Sequence, residues 1–209
     1  MPVSLDASRA GGLRNGQAGA LALELLAVAC IFVLVGAILA VGVRRHIIAI
    51  RQAEAESMLL ELATREQAFR AQNGRYLPLR ADARSDASSR DEDPEAFYPQ
   101  PADSPRLASA RRPTRIEDRS LWPASWRTLA VRPKTDLPYC TYLVNAGQGG
   151  RPAPEMTYGA ALLPTDVNGP WFYALAACNF GGWARFPGGV TVYGLSSEAL
   201  VPRAFDVGR

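Results

Sequence analysis

The chain has 209 residues, enough for one modest globular domain with attachments. Its 23 basic and 20 acidic residues leave a net charge of +3, too small and too mixed to make a phosphate-tracking surface. The only histidine is His46, and there is no phosphate loop or dinucleotide fingerprint. Nucleic-acid binding, His-dependent catalysis and a bound cofactor are therefore all disfavoured.

Residues 1–19 are polar, with Arg9 and Arg14 against Asp6 and glycines at 11, 12, 16 and 19. Glycine is a poor helix former, so a flexible leader is expected. From Ala20 to Val43 the chain is apolar, and Glu24 is its only charge. At 1.5 Å per residue a helix of this length reaches about 36 Å, enough for a hydrocarbon core of about 30 Å. A secretory signal segment is shorter and ends in an A-x-A-like site, which does not follow here, so a retained membrane anchor is expected. Arg44, Arg45 and His46 flank the span's far end, so charge alone leaves the orientation close to a tie. Gly36 and Gly42 read either as local weak points of the helix or as small residues for close packing in the membrane.

The helical pattern continues beyond the span. Ile48, Ala55, Leu62 and Phe69 recur every seven residues, and Met58 and Leu59 widen the same stripe. Arg51, Glu54, Glu61 and Arg65 fall largely off it, which makes this half amphipathic. Asn73-Gly74 supplies a stop and Pro78 prevents resumption. Residues 20–73 thus read as one helix of about 80 Å.

Residues 74–125 are rich in Arg, Asp, Ser and Pro and are expected as an exposed low-complexity loop. The acidic cluster 91–95 lacks the ligand alternation and glycine of a calcium loop, and no metal site is expected. From 126 onward strands are expected. Residues 125–131 are a candidate first strand. Tyr139 to Val144 alternates, with Cys140, Tyr142 and Val144 on one face. Trp171 to Cys178 puts Phe172, Ala174, Ala176 and Cys178 on one face, and Val190 to Leu195 adds a further strand. Trp171, Trp183 and Tyr193 read first as core residues, and as ligand contacts only if exposed.

Cys30 lies in the apolar run. Cys140 opens one strand and Cys178 closes another, so the two ends meet if these strands are antiparallel neighbours. A disulfide is the preferred reading, two buried free thiols the alternative. A bridge enclosing about 38 residues adds roughly 4 kcal/mol in the chain-entropy account, which is disputed. No Cys/His spacing suits zinc. The expected fold is α+β, with the helix's amphipathic half packed on an antiparallel sheet of three or four strands over residues 126–209.

The segment from Gly19 to Glu24 resembles the type IV pilin and pseudopilin family. There a short basic leader ends in Gly, and a hydrophobic segment follows with Glu in fifth place. "NGRYLP" at 73–78, where the long helix ends, is also similar to that family. The resemblance implies cleavage after Gly19 by a prepilin peptidase and N-methylation of Ala20. It further implies a role for Glu24 in attracting a neighbouring subunit's N-terminal amine during assembly. The implied partners are other pilin subunits, the peptidase and an assembly platform in the bacterial inner membrane. The implied placement is a single pass with a periplasmic C-terminal domain, then a pilus or pseudopilus. Two departures stand out. The residue after the glycine is usually Phe and here is Ala20, and the proline common midway along such helices is missing near Val41. The first, together with the long loop after the helix, tilts the reading toward a minor subunit. The rival readings are a type II secretion pseudopilin and a non-polymerising, single-span periplasmic binding protein.

Overall fold

The computed structural model describes residues 11–80, 96–99, 122–133, 138–149, 158–163, 167–179 and 190–206. The chain divides into two compact units, Met1–Ile47 and Ile48–Arg209.

Helix α1 spans Gly11–Asn73 and begins earlier than expected. Residues 11–19, read as leader coil, are helical. Extending a helix is far cheaper than nucleating one, and the apolar run supplies the nucleus, so the local cost of the glycines, about 1 kcal/mol each, is outweighed. The helix passes unbroken through Gly36 and Gly42, and an added Cβ at either would meet nothing within 4 Å. Its end falls where the sequence places it. Gly74 takes φ 71°, a left-handed turn that glycine adopts without strain, and its N–H donates to Arg70 O at 2.7 Å.

In the second unit, α1 is followed by α2 (Ala124–Leu129), β1 (Cys140–Gly147), α3 (Gly159–Leu162), β2 (Trp171–Asn179), β3 (Val190–Ser196) and β4 (Arg203–Asp206). The strands form one antiparallel meander, β1-β2-β3-β4. The fold is thus α+β, with a long N-terminal helix against a small antiparallel sheet. The register pairs Cys140 with Cys178, Tyr142 with Ala176 and Val144 with Ala174.

Side chains alternate across a sheet, so each strand has two faces to cover. On one face Cys140, Tyr142, Val144, Phe172, Ala174, Ala176 and Cys178 share a core with Ala55, Met58, Leu59 and Leu62 of α1 and Trp126 and Leu129 of α2. This is the stripe read from the sequence. The opposite face is buried too. Leu143, Trp171, Tyr173, Leu175 and Val192 pack with Phe97, Tyr158, Leu162 and Val167. Trp171 and Tyr193 are therefore core residues; Trp183 lies outside the described residues.

Two expectations are corrected. Residues 125–131 do not form a strand. They enter α2 after Pro123, bury Trp126 and Leu129 three apart, and stop at Ala130 in the left-handed conformation (φ 54°). The fourth strand is β4 instead. Within the segment 74–125, expected as an exposed loop, Gly74, Arg75 and Ala124 are exposed but the other described residues are not. Tyr76, Leu79, Ala96, Phe97 and Trp122 are buried. Leu79 and Val144 exchange backbone hydrogen bonds at 2.9 and 3.0 Å, and Tyr98 and Tyr142 at 2.9 and 2.8 Å, which closes the outer edge of β1. A strand edge left open would leave these backbone groups unpaired. The acidic cluster 91–95 lies outside the described residues.

Candidate functional site: the carboxylates and apolar face of the long helix

The N-terminal candidates sit on α1. Gly19 and Ala20 lie in its helical backbone. Glu24 is exposed and opens the apolar run. Beyond it Leu25, Leu26, Ile31, Phe32, Val33, Leu34, Ile38 and Leu39 are each more than half exposed, and the free thiol residue Cys30 is exposed as well. These positions go all round the helix, so this stretch has no single apolar face. The helix is long and apolar enough to cross a membrane.

From Ile48 the same helix has one buried face. Ala55, Leu59 and Leu62 are fully buried in the head core. Glu61 and Arg65 remain near the surface and pair at 3.9 Å. Arg51 and Glu54, expected off the stripe, do more than face water. The Arg51 guanidinium lies 3.9 Å over the Tyr139 ring. Glu54 accepts a hydrogen bond from the Tyr139 backbone, yet burial raises its pKa above the usual carboxylate value, with that bond and Arg51 acting the other way. Burial also pushes the Tyr142 phenol up, with the Glu54 charge adding to it.

Cys140 and Cys178 form a disulfide across the β1–β2 pair. Both are buried, and Cys140 Sγ lies 4.0 Å from Arg51 O, so the bridge sits where the sheet meets α1. Toward the other end of β1, Arg80 Nη1 donates to Asn145 Oδ1 at 2.9 Å, and Asn145 Nδ2 donates to Tyr173 Oη at 2.6 Å. These buried polar groups are thereby satisfied among apolar neighbours.

One residue was missed from the sequence. Glu66 is fully buried, and its Oε2 accepts the Leu77 N–H at 2.9 Å. Its position was the available signal: it follows Leu59 by seven residues and Leu62 by four, on the stripe itself.

Among the described residues no group of three His, Cys, Asp or Glu is placed to hold a metal ion. No family model, curated protein or solved structure matches the chain.

Proposed function

We propose that the chain is a pilin-like structural subunit, of the minor kind, of a type IV pilus or a related pseudopilus. It enters the bacterial inner membrane as a precursor, is cut after Gly19 and methylated on Ala20, and polymerises through residues 20–73. The head faces the periplasm and then the outside of the filament. The observation that carries this reading is Glu24, a lone carboxylate five residues after Gly19, near the start of the apolar stretch of α1 whose side chains are exposed on all sides. A carboxylate entering an apolar phase costs a few kcal/mol unless it is paired. A neighbour's new N-terminal amine is a partner of the right charge, and neighbouring helices would replace lipid around the apolar surface. The disulfide supports an oxidising compartment for the head, as the periplasm provides.

Mass mapping of the N-terminus of protein recovered from membranes tests this. An N-methylated Ala20 is the expected result. An intact Met1 in membrane-inserted protein would contradict it and favour a non-polymerising anchored protein.

A further inference from the structure

Glu66 stands where the helix stripe calls for an apolar side chain. It is fully buried. Its Oε2 holds the Leu77 N–H, eleven residues away, while its Oε1 is buried with no hydrogen-bond partner. Between the two residues α1 ends at Asn73 and the chain turns at Gly74. The returning segment then packs Tyr76 on Phe172, with ring centroids 4.7 Å apart, and bridges Leu79 to Val144. Glu66 thus fastens the first segment after the helix back onto the helix, where that segment joins the edge of β1.

A single N–H does not replace the hydration of a carboxylate. A neutral acid leaves one polar atom unsatisfied there; an ionised one leaves a buried charge. Burial accordingly pushes Glu66 up to about 8, and the Leu77 N–H acts in the opposite direction. The charged groups on the neighbouring elements are otherwise engaged or face water, and Arg80 on the returning segment donates to Asn145. On α1, Arg65 pairs with Glu61, and Arg70 gives Nη1 to Tyr76 Oη at 2.8 Å. Arg75 in the turn and Arg127 on α2 are exposed. The titratable groups that the sheet brings to this core are the phenols of Tyr142 and Tyr193, both raised by burial, and Glu54 lies three turns back along α1.

We propose that Glu66 is a proton-gated latch: the neutral acid holds residues 76–80 against α1, and loss of its proton in mildly alkaline solution lets that segment lift from β1 so that the carboxylate reaches water. The sign follows from linkage. Between about pH 4.5 and 8 the closed form keeps a proton that an exposed glutamate has lost. The latch is therefore firmest below that window, weakens as pH rises through it, and changes no further above it. It involves only residues 66–80, β1 and Phe172 of β2, so it holds whether or not the chain polymerises.

The test uses the full chain in detergent micelles. Carbon-13 NMR follows the Glu66 carboxyl with pH, and amide exchange at Leu77 and Leu79 is compared between wild type and Glu66→Gln at matched pH. The amide keeps an acceptor for Leu77 but cannot ionise. The expected midpoint is about 8. The wild-type to variant ratio of exchange rates is expected to rise at least about tenfold between about pH 6 and pH 9. A midpoint at or below the ordinary value of 4.5, or a ratio flat across that range, overturns the latch. If Glu66→Gln does not fold, the wild-type midpoint decides alone.

Discussion

Two stretches of one helix, residues 24–43 and 48–73, obey different rules. In the first, Leu25, Phe32 and Leu39 lie exposed in the single chain at 71, 72 and 62 %. In the second, Leu59 and Leu62 are at 0 %. Both stretches are helical, but not on equal propensity: the second is rich in Ala, Leu, Glu, Gln and Arg, whereas the first mixes its Ala and Leu with five Val, two Ile and two Gly. What differs is where their apolar atoms go. The second stretch finds its cover within its own chain, against Trp126, Tyr142 and Phe172. The first must be covered by something else, a bilayer or other helices. The contrast teaches that an apolar stripe reports a folded head, whereas an apolar cylinder reports an environment.

The largest break in this comparison is expected at the disulfide. Replacing Cys140 and Cys178 together with alanine should destabilise the head by roughly 4 kcal/mol, read as a lower urea midpoint. The helicity of residues 24–43 should be unchanged, because the bridge lies wholly in the second unit. A smaller effect separates two leucines on the same helix. Leu62→Ala leaves a cavity between α1 and the sheet and should cost the head about 3 kcal/mol. Leu39→Ala should leave the head's unfolding midpoint where it was. Equal losses from the two substitutions would mean that the two stretches are covered alike, and the contrast would fail.

Much of the head was legible because its signals are local. Period-two alternation in residues 140–144 and 171–178 fixed which atoms face α1, and the Cys140–Cys178 pairing followed from strand ends. Asn73-Gly74 marked the stop because only a left-handed turn lets the chain leave there cheaply. The misses share a cause: tertiary context overrode a local preference. Trp126, Thr128 and Val131 favour strands, yet Pro123 suits a helix start and the three-residue spacing of Trp126 and Leu129 puts both in the core. The second buried face of the sheet depends on Phe97, Tyr158 and Leu162, which sit in short segments with no period to read. Glu66 was passed over because polar residues on a stripe are discounted, although its register matched. At the N-terminus the stretch from Gly19 to Glu24 was legible only through its resemblance to pilins, and the chemistry proposed for it depends on partners outside the chain.

That chemistry is the central claim, and it is tested most directly by filament incorporation of Glu24→Ala. Sheared filaments and membranes are separated, and the share of this subunit in each is measured by quantitative mass spectrometry, with Leu39→Ala as the control on the same apolar surface. The account predicts that Glu24→Ala stays in the membrane fraction, trimmed to Ala20, and is depleted from filaments at least about tenfold, the loss of one charge pair in an apolar setting. Undiminished incorporation of Glu24→Ala, at the level of wild type and of the Leu39 control, would contradict it.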